Sequence, residues 1–331
     1  MRENRQKVKD ILKGKRHIKI MNDIRKKRKR KTLHGDGAFK WYDKIIVYGP
    51  VILFVLFCLI PIIAMISSSF SDSKLIKEQG AALWPQGFTT TAYTTAFKFP
   101  QEILMSYLIS ISVTVLGTVV NVLLLLTLGF YLARSTSKLK KYINFFVFFT
   151  MMFGPGIVPT YIWYRDYLRI YDTFAVLMLP GLVSVWHLFL LRLFFAQVSE
   201  SIYESAKMDG ASEFLLLFKI VSPMITAGIA TVTFYSVLMY WNDSFTALLY
   251  TENPNLIPVS LYLTRVTNYI AWLRDVQRGA YPGLFLPPNF QIPENTMVFA
   301  VAIITTGPML FVFTLFQRYF VRGVVAGSVK E

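Results

Sequence analysis

The chain has 331 residues, of which 54% are hydrophobic and only 16% charged, and its mean hydropathy is +0.46. A soluble domain carries about a quarter charged residues, so this composition excludes an ordinary soluble protein. The single cysteine, Cys58, excludes an intrachain disulfide and any metal site built from cysteines.

The positive charge is concentrated at the N-terminus. Residues 1–40 hold 16 lysines and arginines and four acidic residues, a net charge of +12 within a whole-chain charge of +16. A tail of this kind is typical of a cytoplasmic segment that precedes a first membrane span and lies near anionic lipid. A nucleic-acid-binding patch at 25–31 is the alternative. We predict a basic cytoplasmic tail over 1–40 and a membrane domain over 41–331.

Six apolar segments reach the roughly 20 residues that a helical membrane span needs. We therefore predict an all-α, polytopic membrane protein with six transmembrane helices. Proline and glycine inside these segments are compatible with spans whose neighbours satisfy the freed backbone groups. The predicted spans cover residues 45–67, 103–133, 142–163, 173–195, 223–250 and 296–320.

The short loops set the orientation. The loop 134–141 carries four positive charges and no acid, and basic loops stay in the cytoplasm. Together with the basic tail, this places both termini in the cytoplasm and the loops 68–101 and 251–295 on the outer side. The loop 199–222, between the fourth and fifth spans, is then cytoplasmic.

This cytoplasmic loop has the sequence of a small folded element. Ser201 and Glu204 fit a capping box, which predicts a helix over 202–208, and Gly210 is expected to end it. A second helical piece is predicted over 212–221. Its apolar residues are expected to pack against the bundle, namely Phe214, Leu215, Leu217, Phe218 and Ile220. The loop therefore presents a short docking helix.

The stretch Glu204-Ser205-Ala206-Lys207-Met208-Asp209-Gly210-Ala211, with Pro223 downstream, resembles the EAA loop of ABC importer permeases. The similarity is greatest to the carbohydrate-uptake group of the maltose type, in its complex-oligosaccharide subgroup. Trp241-Asn242-Asp243 and the C-terminal segment 317–330 also resemble this group. Ser205, Ser222 and Ala227 depart from the family pattern, and the last two concern the bend that enters the fifth span.

This resemblance implies a type I ABC importer permease in the cell membrane, with a permease domain over 41–331. The implied partners are a second homologous permease, an ATPase dimer, an extracellular solute-binding protein and an oligosaccharide substrate. No cofactor is expected in this chain, which is not an enzyme, because ATP and Mg²⁺ would be bound by the partner ATPase. The residues implied in coupling to that ATPase are Tyr203, Glu204, Ser205, Ala206, Met208, Asp209, Gly210 and Ala211.

Polar residues within the spans are candidates for a transport pathway, because polar groups at membrane depth usually face a cavity or the bundle interior. Trp241, Asn242 and Asp243 combine an aromatic face with amide and carboxylate groups, which suits a sugar, and Asn121 is a weaker candidate. Helix-to-helix hydrogen bonding is the alternative role. His187, a lone histidine in the fourth span, is expected to be a satisfied interior side chain.

The sequence contains no phosphate-binding loop of the G-x-x-x-x-G-K-[ST] type, so this chain is not expected to bind ATP. An ion- or proton-coupled secondary transporter is the main alternative function. It needs coupling residues inside the membrane and usually internal repeats, and neither is evident. A membrane-anchored nucleic-acid binder that uses the basic tail is a second alternative, although no nucleic-acid partner is expected.

Overall fold

The computed structural model describes residues 41–98, 100–287 and 295–327. The predicted tail at 1–40 lies outside this part of the chain. Over the described residues the regular secondary structure is helical, which confirms the all-α prediction. The chain divides into two units, Met1–Ile63 and Ala64–Glu331, and each is described by itself.

In chain order, the helices before the fourth predicted span are α1 Trp41–Ser69, α2 Ser73–Gln79, α3 Thr91–Ala96, α4 Pro100–Arg134, α5 Leu139–Met152 and α6 Ile157–Tyr167, whose last turn is a π-helix. The following helices are α7 Phe174–Gly181, α8 Val185–Phe195, α9 Glu200–Met208, α10 Glu213–Met224, α11 Thr226–Asn242, α12 Phe245–Tyr250, α13 Val259–Gln277 and α14 Asn295–Gly327.

Three of these helices are long and apolar enough to cross a membrane by themselves, within α1, α4 and α14. Three further pairs meet the same criteria only when taken together, because each is sharply bent. The bends are 114° between α5 and α6, 47° between α7 and α8, and 88° between α10 and α11. The described residues thus contain three straight candidate spans, or up to six if each bent pair counts as one.

The bends correct the predicted outlines of three spans. The third segment breaks at the tripeptide Gly154-Pro155-Gly156, because Pro155 has no amide proton and Gly156 adopts a φ of +83°. The fourth breaks between Gly181 and Val185. The fifth is not one helix over 223–250. It turns sharply before Thr226 and ends at Asn242, because Asp243 has an extended backbone (φ −75°, ψ 92°).

Inside the second unit, one apolar cluster joins α4, α8, α9, α10 and α11. Leu125, Leu188, Leu191 and Leu216 are fully buried in it, and Tyr203 of α9 belongs to the same cluster. A second cluster, which includes Val176, Tyr240 and Tyr250, joins α4, α7, α11, α12 and α13. The bent helices are therefore packed on the straight helix α4 over much of its length.

The segment between α1 and α4 folds into an ordered lobe. The Phe70 and Tyr93 rings lie 4.8 Å apart, and the amide of Thr89 donates to the carbonyl of Phe70 at 2.8 Å. The Asp72 side chain caps α2 by accepting from the amide of Lys74. The stretch predicted as an outer loop over 68–101 thus contains the helices α2 and α3 and is held together by these contacts.

Candidate functional site

Helix α9 begins earlier than the sequence predicts. Ser199 is its N-cap, with an extended backbone (φ −62°, ψ 138°), and Glu200 is the first helical residue. The predicted capping box of Ser201 and Glu204 is wrong, since Ser201 already lies in the first turn. Its hydroxyl pairs with that of Ser199 at 2.9 Å, and no side chain caps the helix.

The two faces of α9 differ sharply. Tyr203 and Ala206 are buried, with exposed fractions of 1% and 6%, and belong to the apolar cluster around α4. Glu204, Ser205 and Met208 are exposed on the other face, and the Met208 side chain keeps 87% of its surface. An exposed apolar side chain at the end of a polar face is a feature of helices that dock on a partner.

Arg134, the last residue of α4, holds α9 in place. Its guanidinium donates to the carboxylate of Glu200 and lies 3.9 Å from the centroid of the Tyr203 ring. Both interactions reach α9 from the C-terminal end of α4. The guanidinium also holds the pKa of the Glu200 carboxyl below its usual range, and burial raises the pKa of the Tyr203 phenol.

The turn after α9 is built as the sequence predicts. The amide of Ala211 donates to the carbonyl of Ala206 and the amide of Gly210 to that of Lys207, both at 3.0 Å, in the pattern of a Schellman motif. Gly210 has a φ of +78°, which favours glycine. Asp209 and Gly210 are exposed and Ala211 is half-buried. Gly210 therefore ends α9 and reverses the chain toward α10.

An ion pair and a side-chain cap fix α10 against α9. Lys207 Nζ lies 3.0 Å from Glu213 Oε1, across the turn, and the Ser212 hydroxyl accepts from the amide of Leu215. Burial of the apolar residues of α10 is only partly as predicted. Leu217 is buried, and Phe218 and Ile220 are half-buried. Phe214 and Leu215 are exposed at 73% and 38%, so their predicted packing is wrong.

The pathway candidates are not brought together into one cavity. Asn121 on α4 is fully buried, its amide nitrogen donates to the carbonyls of Gly181 and Leu182, and its oxygen accepts from Ser236 at 2.7 Å. His187 is buried as expected, with Nδ1 3.5 Å from the Ser236 hydroxyl. Asn121 therefore bonds to the break between α7 and α8.

The candidates at the end of α11 differ in accessibility. Trp241 is buried, and its indole nitrogen donates to the carbonyl of Thr305 on α14 at 3.1 Å. Asn242 is exposed, and its side-chain amide donates to the carbonyl of Leu238 in its own helix. Asp243 accepts from the amide of Thr246 and is half-buried. Asn242 and Asp243 thus keep polar groups available, whereas Trp241 is used in packing.

Residues 125–326 match the model of the family described as "binding-protein-dependent transport system inner membrane component". The chain belongs to this family. The match includes α8 to α11 and therefore the whole α9–α10 loop. The chain is therefore a multi-pass membrane permease of an ABC transport system. A permease role is consistent with the expectation that the chain is not an enzyme.

The permease is similar along most of its length to permeases and related proteins of bacteria. It is 32% identical to the polygalacturonan/rhamnogalacturonan transport system permease protein YtcP of Bacillus subtilis, over 86% of this chain and 97% of the relative. It is 31% identical to protein LplC of the same organism, over 90% and 98% of the two chains. These relatives favour an ABC importer over an ion-coupled secondary transporter.

A solved structure supports the same fold. It is a bacterial ABC transporter involved in the import of the acidic polysaccharide alginate, and one of its chains matches with a TM-score of 0.70 and 25% identity. The match covers 85% of the permease and 98% of that chain. The resemblance to oligosaccharide permeases seen in the sequence is thus confirmed at the level of family and fold.

Two residues that hold the loop were not predicted from the sequence. In the sequence, Arg134 is one of four positive charges in its loop, and the helix predicted over 202–208 does not include Glu200. Their positions carry a signal, since an acidic residue in the first turn of a helix and a basic residue in the last turn of a span are both common. Only the structure shows that they pair with each other.

Proposed function

We propose that this permease is the transmembrane subunit of an ATP-driven importer, and that it moves oligosaccharides delivered by an extracellular solute-binding protein. In this proposal it assembles with a second, homologous permease and an ATPase dimer, which binds ATP and Mg²⁺. The name of the YtcP relative refers to polygalacturonan and rhamnogalacturonan transport, the solved structure is of a transporter involved in alginate import, and both support an oligosaccharide substrate. Both termini of the permease lie in the cytoplasm in this arrangement.

The observation that carries the proposal is the exposed face of α9. Met208 and Phe214 expose 87% and 73% of their surfaces, on either side of the Gly210 turn. Glu204, Ser205 and Asp209 supply polar groups beside them. Short exposed helices with one or two apolar anchors and a polar rim suit a groove on a partner protein. We assign that groove to the ATPase.

The buried residues of the same octet have a different role in this proposal. Tyr203 and Ala206 do not contact the ATPase. They anchor α9 to the apolar cluster that also contains Leu125 of α4 and Leu188 of α8. Arg134 adds an ion pair and a ring contact to this anchor. A displacement of α9 by the ATPase would then move the inner end of α4, because the two helices are joined by side chains with few alternative positions.

Closure of the ATPase dimer on ATP drives the change of state. It favours one of two arrangements of the permease pair, one open to the outside and one to the inside. The sharp bends at α5–α6, α7–α8 and α10–α11 are natural places for such a change, since helix breaks absorb changes in backbone angles. Hydrolysis and product release return the assembly to its first state.

For the transport pathway, we propose that Asn242 and Asp243 contact the sugar, since both keep polar groups available at the end of α11. Trp241 and Asn121 support the pathway by packing. The Trp241 indole joins α11 to α14, and the Asn121 amide joins α4 to α7 and α11. Replacing a residue that contacts the sugar should therefore raise KM for uptake, whereas replacing a residue that packs should lower Tm.

The test is ATPase activity of the assembled complex in lipid, stimulated by loaded binding protein. Gly210→Trp is a poor probe, because any side chain at a φ of +78° strains the backbone. Met208→Glu changes only an exposed side chain. We expect it to lower stimulated ATPase activity and uptake at least about tenfold, a loss typical of an interface hot spot. Lys74→Glu, on the exposed surface of α2, is the control and should leave both unchanged. Unchanged activity of Met208→Glu contradicts the proposal.

A further inference from the structure

The loop between α4 and α5 forms a basic cleft of about 570 Å³. The cleft is lined by residues 135–138 and 140–142 and by Asn144, and is called the lysine cleft below. Lys138, Lys140 and Lys141 supply three ammonium groups. Among the described residues, none of the three forms an ion pair with a carboxylate. The lysine cleft therefore has a local excess of positive charge.

The lysine cleft also offers neutral donors. The carbonyl oxygen of the Asn144 side chain accepts from Arg192 Nη1 at 2.8 Å, which leaves its amide nitrogen as a donor. Hydroxyl groups of Ser135 and Ser137 line the same cleft. Lys140 Nζ lies 3.3 Å from the carbonyl of Ala133, in the last turn of α4, which keeps its ammonium group close to the loop. Ammonium, amide and hydroxyl donors together suit a phosphate group.

An apolar strip begins at the edge of this cleft. Tyr142 lines the cleft, and Phe145 and Phe149 follow at intervals of three and four residues on the same face of α5. Phe153, the C-cap of α5, continues the strip by stacking on Phe149. The successive phenylalanine rings are stacked, with centroids 6.1 and 4.7 Å apart. Tyr142, Phe145 and Phe153 each expose more than 60% of their surface. A ligand for both features has a phosphate head and a hydrocarbon tail.

We propose that the lysine cleft binds the head group of an anionic phospholipid, whose acyl chains lie along the strip of Tyr142, Phe145, Phe149 and Phe153. Basic pockets at the cytoplasmic end of membrane helices bind anionic lipid head groups by the same chemistry. The apolar strip distinguishes this ligand from free phosphate, which has nothing to place there. The proposal does not depend on ATPase docking, which uses another loop.

The binding of anionic lipid at this cleft has a structural consequence. Its phosphate would neutralise a cluster of like charges at the start of α5, where Lys138 is the N-cap and supplies no side-chain cap. Cations near a helix N-terminus are unfavourable, whereas an anion there is favourable. The lipid would thus stabilise the beginning of the bent pair α5–α6, and through Asn144 and Arg192 its contact with α8.

The test measures binding of phosphatidylglycerol to the purified, delipidated full chain, by native mass spectrometry and by the shift in thermal unfolding. We expect phosphatidylglycerol to bind more tightly than phosphatidylcholine. The double substitution Lys138→Gln and Lys141→Gln is expected to weaken it at least about fivefold for each lysine removed. The control, Lys74→Gln and Lys77→Gln on α2, removes the same charge elsewhere and should keep the wild-type affinity.

Four results would overturn the proposal. Equal binding of the two lipids, or equal losses in the test and control variants, means that only general attraction is present. Competition by inorganic phosphate at the concentration of the lipid means that the cleft is a free-anion site. Loss of phosphatidylglycerol binding when the second permease and the ATPase are added means that protein covers the strip. The proposal also predicts that Phe145→Ala, which keeps every charge, weakens phosphatidylglycerol binding, and that inorganic phosphate does not compete with the lipid.

Discussion

The guanidinium of Arg134 lies 3.9 Å from the centroid of the Tyr203 ring, so the end of a straight membrane helix is stacked on the buried face of α9. The same guanidinium donates to Glu200 in the first turn of α9. One side chain therefore fixes both the position and the rotation of the helix that we assign to ATPase docking. This pairing makes the C-terminal end of α4 part of the proposed coupling path.

Replacing Arg134 by alanine is expected to loosen α9 without unfolding the permease. The contact with the Tyr203 ring contributes about 1 kcal/mol, and the ion pair with Glu200 is also lost. Amide hydrogen exchange in Glu200–Met208 should therefore be faster by about fivefold or more. Arg134→Lys should give an intermediate result, because lysine keeps the charge and loses the planar fork.

Two matched variants test whether this effect is specific. Arg165→Ala removes a guanidinium that lies 5.5 Å from the Tyr171 ring in another loop, and should leave exchange in α9 unchanged. Tyr203→Phe keeps the ring under Arg134 and removes a buried hydroxyl that has no partner among the described residues. It should be neutral or slightly stabilising. Faster amide exchange in α9 of the Tyr203→Phe variant than in the wild type contradicts the role assigned to Arg134 and Tyr203. Wild-type exchange in the Arg134→Ala variant contradicts it as well.

The ion pair also predicts a response to acid. The Glu200 carboxyl has a folded-state pKa below its ordinary value because Arg134 donates to it. Such a group stabilises the folded loop above its ordinary pKa, and this contribution is lost as the pH falls through the lowered folded-state pKa. A spin label at residue 205, with Cys58 replaced by serine, should become more mobile at acid pH. In the Glu200→Gln variant, the spin label should already be mobile at neutral pH, and its mobility should no longer depend on pH.

A close approach of two helices sets a limit on side-chain size at Gly228 in α11. A Cβ atom there would lie 2.4 Å from the Phe194 ring and 2.8 Å from Phe194 Cβ. The second atom sits close to the backbone of α8 and cannot move by a simple rotation. Gly228→Ala should therefore destabilise the permease by about 1–3 kcal/mol, although alanine favours helix. Gly307→Ala on α14 meets nothing within 4 Å and is the control. Thermal unfolding in detergent measures both, and equal stability of the two variants contradicts this packing.

Asn121 and Asn242 should respond differently to replacement. Asn121→Leu leaves the carbonyls of Gly181 and Leu182 without this donor, and each unsatisfied group costs about 1–3 kcal/mol. The Ser236 hydroxyl loses one acceptor and keeps the carbonyl of Val232. We expect low yield and a lower Tm, with an unchanged KM for the protein that remains. Asn242→Ala removes one bond within its own helix, so Tm should hold while KM for sugar uptake rises. A raised KM in Asn121→Leu, or an unchanged KM in Asn242→Ala, contradicts the proposed division.

The sequence predicts best what depends on long apolar runs. Helices α1, α4 and α14 contain the predicted first, second and sixth spans because a run of about 20 apolar residues has few other uses. The bent spans were outlined but not resolved, since proline and glycine are compatible with either a kinked or a broken helix. The break at Asp243 has no proline or glycine beside it, and its local mark is the run Asn242-Asp243-Ser244, residue types that favour turns and helix caps.

Within the candidate site, the sequence predicts the turn after α9 more reliably than it predicts which side chains are buried. Gly210 was placed correctly at the helix end, because a left-handed turn after a short helix favours glycine. The cap was misplaced, since Ser199 and Ser201 are both good N-cap residues and only backbone angles distinguish them. The sequence does not predict that Phe214 is exposed, because composition alone does not indicate which face of a short helix packs against the other helices.

The most direct test of the central claim is a cross-linking measurement on the assembled complex. A photoreactive amino acid replaces Met208, whose side chain is 87% exposed, or, as a control, Leu83 in the lobe between α1 and α4. After illumination, position 208 should form a covalent adduct with the ATPase subunit, and position 83 should not. An adduct of equal yield at position 83, or no ATPase adduct at position 208, contradicts the assignment of α9 as the helix that the ATPase grips.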